Sequence, residues 1–159
     1  MKNLSLEQFK KKIDEIQTEW AQTIINIGKA YLDNKDYVTM TEKFIKELYS
    51  LDNHKTLFKP TKASNIQFRR KRNEFISYFI GHNKVSEEDK GFAINPWKKI
   101  KFENFDFSVF DNFILAMGNY FFTDYNDITT KVEYSFGYIL VKDKSLKIVF
   151  HHSSIPYEE

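Results

Sequence analysis

The chain has 159 residues, and its 24 basic and 22 acidic side chains leave a net charge of only +2, which argues against a dedicated nucleic-acid-binding protein. It contains no cysteine, so disulfides, thiolate catalysis and cysteine-ligated zinc are excluded. Aromatic residues make up 17% of the sequence, and such wide side chains must line a core or a deep pocket.

The length predicts one domain that spans residues 1–159. Charged residues recur every few positions from the first residue onward, which is not the pattern of a signal peptide. No stretch approaches the ~20 apolar residues that a membrane-spanning helix needs. We therefore expect a cytoplasmic protein that does not bind membranes.

The N-terminal half has the pattern of helices. Ser5 and Gln8 resemble a capping box, and apolar residues then recur every three or four positions, as on one face of a long helix. A second helix is predicted to start with Asp36 as its N-cap, and a third to cover residues 70–80. A short extended segment between them ends at Pro60.

The C-terminal half has the alternating pattern of strands, with short polar connections that suit antiparallel neighbours. The predicted strands cover residues 92–104, 113–123, 131–141 and 146–154. Helices followed by strands predict an α+β fold, in which the helices pack on one face of a single antiparallel sheet. We expect Trp20, Phe44 and Phe75 to pack against that face.

The last predicted strand carries the most informative polar residues. Successive side chains of a strand point to opposite faces, and Lys147 marks the face that meets water. This parity places His152 and Ser154 with Leu146 on the inner face, at the end of an aromatic-lined concavity. Both could instead be structural groups that hydrogen bonds satisfy within the core.

A metal site is harder to assemble from this sequence. Histidine occurs only at positions 54, 82, 151 and 152, and the adjacent pair faces apart on a regular strand. Catalytic zinc requires three protein ligands that converge on one point. We therefore expect no metal cofactor, with zinc or manganese as the alternative.

A basic run covers residues 69–72. It could contact phosphate, but a solvated helix start is the preferred interpretation, because the net charge is small and no second basic patch supports a binding surface.

Five segments, in this order, resemble the iota-class carbonic anhydrases. They are LFKPT at 57–61, SYF at 77–79, GFA at 91–93, AMGNYFF at 116–122 and HHSSIPY at 151–157. That family shares its domain with the association domain of calmodulin-dependent kinase II, within the nuclear-transport-factor-2-like superfamily. The resemblance covers nearly two-thirds of the chain.

The resemblance implies a cone-shaped, curved antiparallel sheet with helices on its concave face. It implies a pocket formed by Thr61, Tyr78, His152 and Ser154, and reversible hydration of carbon dioxide to bicarbonate and a proton. Members are described both as metal-dependent and as metal-free. The family usually dimerises through the outer face of the sheet, and we expect a homodimer through the face that bears Ile139, Val141 and Val149.

Roles for the pocket residues follow as hypotheses. The hydroxyls of Thr61, Tyr78 and Ser154 would orient a water and bind the bicarbonate oxygens. His152, with an unperturbed pKa of ~6.5, would accept and release a proton. Aromatic walls would bind the apolar substrate, and the residues that we expect there are Tyr134 and Phe136.

Two other interpretations stay open from the sequence. The superfamily also includes isomerases and dehydratases, which often use a carboxylate inside the cone; Glu133 has the wrong parity for that role. The chain could also be a non-catalytic oligomerisation or small-ligand-binding module, which would need no pocket hydroxyls. A carbon dioxide hydration assay separates these interpretations.

Overall fold

The computed structural model describes residues 4–83 and 85–159. The helices are α1 (Leu6–Leu32), α2 (Tyr37–Leu48) and α3 (Arg72–Ile80), and the strands are β1 (Leu57–Lys59), β2 (Trp97–Phe110), β3 (Phe113–Asp124), β4 (Thr129–Leu140) and β5 (Leu146–Ser154). Within these two ranges, no helix combines the length and the apolar character that crossing a membrane requires.

The predicted starts of the first two helices are confirmed by their capping contacts. The Gln8 N–H donates to the Ser5 hydroxyl over 3.2 Å, and the Ser5 N–H donates to Oε1 of Gln8 over 2.8 Å. Asp36 accepts the N–H of Thr39 at 3.0 Å. Helix α3 begins two residues later than predicted, because the Glu74 carboxylate accepts the N–H groups of residues 70 and 71 and holds them outside the helix.

The five strands form one sheet in the order β1-β5-β4-β3-β2. Strands β2 to β5 form an antiparallel meander as predicted, and the short β1 adds to its edge parallel to β5. The predicted start of the first long strand at residue 92 is wrong. The N–H groups of Phe92 and Ala93 donate to the end of α3, at Tyr78 and Phe79, so the strand begins only at Trp97.

The helices cover the concave face of this sheet. Trp20 of α1, Phe44 of α2 and Phe75 of α3 are all buried against it, as predicted. The Trp20 ring contacts both Tyr120 and Phe136 on the inner face of the sheet. The α+β cone expected from the sequence is therefore the observed architecture.

A β-bulge interrupts the alternation of β5. Ile148 pairs with Tyr138, and Phe150 pairs with Gly137, so Val149 has no partner residue on β4. One extra residue reverses the parity of every later position in the strand. Gly137 permits the close approach, since a Cβ there would lie 2.9 Å from the Cβ of Phe150.

Candidate active site

A small cavity lies under the cone between α1, α3 and the inner face of the sheet. Its polar wall consists of Thr61, Tyr78, Tyr120, His151 and Ser153, and its apolar wall of Trp20, Phe58, Pro60, Phe79 and Phe92. The cavity leaves about 10 Å³ for the centre of a water-sized molecule, which is close to the minimum that holds one water. The enclosed part of the site is therefore narrow, and any molecule that enters it contacts both walls.

The polar residues come from four separate parts of the chain. Thr61 follows Pro60 directly after β1, Tyr78 lies in α3, and Tyr120 lies on β3. His151 and Ser153 both project inward from the end of β5, and each is only 2% exposed. Two predicted site residues, Thr61 and Tyr78, are therefore brought together at this cavity.

The predicted inward orientation of His152 and Ser154 is wrong. His152 is exposed, and the half-buried Ser154 donates its hydroxyl to Glu133 on the outer face over 3.3 Å. The bulge at Val149 is the physical reason, because it exchanges the two faces of β5 from that residue onward. The neighbouring His151 and Ser153 occupy the inner positions instead.

Sequence analysis therefore missed His151, Ser153 and Tyr120 as cavity residues. A signal for the bulge was present in the neighbouring strand, where Gly137 stands in the middle of an otherwise regular alternation. A glycine inside a strand often marks a bulge or a close backbone approach.

The two predicted substrate-binding residues are buried but do not line the cavity. The Phe136 ring packs on the imidazole of His151, with 4.2 Å between ring centroids. Tyr134 lies further along β4, where its hydroxyl contacts Gln17 and Asn104. Burial raises the pKa of Tyr134 to about 12. Phe136 therefore packs against a residue of the cavity wall, whereas the hydrogen bonds of Tyr134 lie away from the cavity.

A hydrogen-bonded group of three side chains forms the sheet side of the cavity. Nε2 of His151 lies 3.0 Å from the Ser153 hydroxyl and 3.3 Å from the Tyr120 hydroxyl. The Ser153 and Tyr120 hydroxyls also contact each other. This arrangement puts two hydroxyl groups and one imidazole within reach of a common point.

The cavity groups are electrically neutral near pH 7. Burial raises the pKa of Tyr78 above its ordinary value, and hydrogen bonds from the N–H groups of Lys62 and Thr61 oppose that rise only in part. Burial likewise raises the pKa of Tyr120 and lowers that of His151 well below its usual value. Both phenols therefore keep their protons, and the imidazole is uncharged.

A buried ion pair stands behind Tyr78 without facing the cavity. Arg69 donates to both carboxylate oxygens of Asp89, at 2.7 and 2.9 Å, and Ser77 donates to the same carboxylate. Arg69 is only 1% exposed, so the interpretation of this basic run as solvated is wrong for its first residue. The pair fixes the segment before α3 against the loop that follows α3.

Tyr78 also lines an outer cleft of about 410 Å³. Other residues of this cleft are Tyr31, Lys62, Asp89 and Phe92. Tyr78 and Phe92 both line the outer cleft and the inner cavity, so these two aromatic side chains lie between the two spaces.

The described residues bring together no group of three His, Asp or Glu side chains that could hold a metal ion. Of the four histidines, His151 alone lines the cavity formed by those residues. Its partners there are hydroxyl groups, which bind neutral or anionic oxygen atoms by hydrogen bonds.

Comparisons with known proteins match most of this chain. The model of a family described as metal-independent carbonic anhydrase matches residues 11–155. A metal-independent carbonic anhydrase of Nostoc sp. (strain PCC 7120) is 34% identical over 147 residues, which cover 90% of this chain and 71% of that protein.

Solved structures show the same fold. A cyanobacterial iota-carbonic anhydrase complexed with bicarbonate superposes with a TM-score of 0.88 at 32% identity, covering 94% of this chain and 93% of that one. A nuclear transport factor 2-like protein of Salmonella enterica serovar Typhimurium LT2 has a TM-score of 0.62 at 15% identity, with coverage of 97% and 95%. The second likeness concerns the fold alone.

Proposed function

The chain belongs to the metal-independent carbonic anhydrase family, and on this premise we propose that it catalyses the reversible hydration of carbon dioxide to bicarbonate and a proton. The observation that carries this proposal is the neutral, hydroxyl-lined cavity of Thr61, Tyr78, Tyr120, His151 and Ser153. The similar cyanobacterial structure is a bicarbonate complex, which supports the same class of ligand here.

A reaction through neutral groups suits such a cavity. The oxygen of a bound water forms a bond to the carbon of carbon dioxide while one carbon–oxygen π bond opens. A proton of that water passes through a cavity hydroxyl to the substrate oxygen and gives carbonic acid, which ionises to bicarbonate and a proton. No phenolate or imidazolium forms, and burial disfavours both in this cavity.

The residues would contribute orientation and hydrogen-bond donors. Thr61, Tyr78 and Ser153 would hold the water and the substrate oxygens in a reactive geometry, which lowers the barrier by proximity and by preorganised dipoles. The orienting role expected of Ser154 passes to Ser153, because the inner face of β5 carries Ser153. His151 takes the place of His152 as the imidazole of the site but not its role as a proton acceptor, because burial disfavours the imidazolium.

The test of this function is a stopped-flow carbon dioxide hydration assay on purified protein before and after exhaustive treatment with a chelator. The proposal expects acceleration above the uncatalysed rate in both samples. An inactive protein, or activity that disappears with the chelator and returns with zinc or manganese, would contradict it.

We also propose a homodimer through the outer face of the sheet. On this face Leu115 and Met117 of β3 are 42% and 53% exposed, and Phe105 of β2 is 81% exposed. Neighbouring apolar side chains of this kind are typical of a covered surface. Sedimentation should give twice the chain mass at micromolar concentration, whereas Met117→Lys should give the monomer mass. A wild-type monomer at that concentration would contradict the proposal.

Two further expectations stay predictions. We propose a single domain over residues 1–159 and a cytoplasmic location. Limited proteolysis tests the first, since one domain should resist internal cleavage, and cell fractionation tests the second.

A further inference from the structure

Three buried side chains form a line that leads away from the cavity behind His151. The indole Nε1–H of Trp20 donates to the Tyr49 hydroxyl oxygen over 2.9 Å. The same hydroxyl lies 3.0 Å from Nδ1 of His151. The three residues are at most 2% exposed, so the two hydrogen bonds that join them are shielded from solvent.

The hydrogen-bonding groups of these three side chains determine which atom donates in each hydrogen bond. An indole nitrogen can only donate, so the Tyr49 oxygen accepts from Trp20. Among the described residues, Nδ1 of His151 is the one group to which Tyr49 can donate its hydrogen. If Nδ1 carried the ring proton, the Tyr49 hydrogen would be buried without an acceptor, which is strongly unfavourable. Tyr49 therefore donates to a bare Nδ1.

The ring proton then lies on Nε2, which faces the cavity. Burial lowers the pKa of His151 well below its usual value, so a doubly protonated ring does not compete near pH 7. Burial also raises the pKa of Tyr49, so its hydroxyl keeps the hydrogen that it donates.

The position of this proton decides what the cavity can offer a ligand. With Nε2 protonated, His151 donates to the Ser153 hydroxyl. One of the two hydroxyl hydrogens then forms the hydrogen bond between Ser153 and Tyr120. The second hydroxyl hydrogen is then left over and can point into the cavity. With Nε2 bare, both hydroxyl hydrogens would be used inside the group, and none would be left for a ligand.

We propose that Tyr49, held by Trp20, is a positioning residue that fixes His151 in its Nε2-protonated form. The Ser153–Tyr120 pair thereby keeps one hydroxyl hydrogen free to donate to the oxygens of carbon dioxide or bicarbonate. This inference rests on the proposed carbonic anhydrase function. It also assigns His151 the role of a donor in the cavity, because the nitrogen that faces the substrate already carries a hydrogen.

The experiment combines ring-nitrogen NMR with turnover. The wild-type protein is labelled with ¹⁵N in its histidine rings and measured without carbon dioxide. The His151 signals are the ones that disappear in His151→Gln. They should be those of a neutral ring protonated at Nε2. Tyr49→Phe keeps the packed ring and removes the donor. It should show both tautomers, and its kcat/KM should fall by the same factor as the Nε2-protonated population.

The matched control is Tyr138→Phe. Tyr138 is another fully buried tyrosine, but its hydroxyl contacts Gln17 instead of His151. This variant should leave the His151 tautomer as in wild type. A wild-type ring protonated at Nδ1, or a Tyr49→Phe protein with an unchanged tautomer, would overturn the inference. If the protein shows the expected spectrum but does not hydrate carbon dioxide, the placement of the hydrogen is supported and the proposed function is overturned. Failure of the inference and failure of the proposed function are therefore distinguishable.

Discussion

Tyr78 lines both the outer cleft and the inner cavity, and we expect its hydroxyl to bind a substrate oxygen. Tyr78→Phe removes this donor and keeps the ring that packs on Phe58 and Phe92. We expect kcat/KM for carbon dioxide hydration to fall roughly 100-fold, the usual effect of losing one oriented donor, with little change in the unfolding temperature.

Tyr31→Phe is the matched control for this substitution. Tyr31 lines the outer cleft but not the inner cavity, so its variant should keep wild-type turnover. A Tyr78→Phe protein as active as wild type would show that the hydroxyl takes no part in the reaction.

Two of the cavity residues could be predicted from the sequence, and both came from the resemblance to a family. Thr61 and Tyr78 were selected by the resemblance, and both line the cavity. The assignment of His152 and Ser154 rested on the resemblance and on parity counted along nine residues, and one bulge reversed that parity. Arg69 has the sequence context of a surface cation, and only the fold brings Asp89 from 20 positions away to neutralise it.

At the scale of a structural element, the bulge in β5 depends on the small residue opposite it. A Cβ on Gly137 would lie 2.9 Å from the Cβ of Phe150 and 3.1 Å from the Phe113 ring. Gly137→Ala must therefore displace β5 next to His151, and overpacking of this kind costs ~1–3 kcal/mol of unfolding free energy. Urea unfolding measures that loss.

The control for Gly137→Ala is Ser135→Ala, two residues away on the same face of β4. Surface changes of this kind usually alter stability by less than about 0.5 kcal/mol. Equal unfolding free energies for the two variants would contradict the steric account of the bulge.

A second element-scale contact joins the loop after β1 to the loop after α3. The Glu88 carboxylate accepts the N–H groups of Ser64, Asn65 and Ile66 at 2.8, 3.0 and 2.9 Å. These backbone hydrogen bonds lower the pKa of Glu88 from about 4.5 to about 2. Because the folded state holds the ionised form, this stabilisation is present above about pH 5 and is lost as the pH falls toward 2.

Glu88→Gln should therefore be less stable than wild type at pH 7, and the difference should shrink as the pH falls from 5 to 2. Thermal unfolding at a series of pH values measures this, with Glu87→Gln as the exposed neighbouring control. If wild type and Glu88→Gln lose stability in parallel between pH 5 and pH 2, the Glu88 carboxylate is not the source of the pH-dependent stabilisation.

The strand pattern of the sequence predicted the sheet well, because strand periodicity and short polar turns are local signals. The parallel pairing of β1 with β5 was not predictable in this way, since it joins residues 57–59 to residues 150–152 across the whole chain. The same pairing places Thr61 beside the end of β5. Assembly of the cavity is thus a long-range property of the fold.

At the scale of the whole molecule, the cone separates two surfaces with different roles. The concave side is covered by helices and encloses the neutral cavity, and the convex side exposes the apolar residues of the proposed dimer face. Adjacent residues of β5 therefore face different environments: His151 and Ser153 meet the cavity, while His152 and Ser154 meet the outer surface.

The paired serines give the most direct test of this account. Stopped-flow measurement of kcat/KM for carbon dioxide hydration should show a loss of roughly 100-fold in Ser153→Ala, which removes a donor from the cavity. Ser154→Ala, one residue further along the same strand, should stay near wild type, because its hydroxyl bonds to Glu133 on the outer face. A larger loss in Ser154→Ala than in Ser153→Ala, or wild-type activity in Ser153→Ala, would contradict the account.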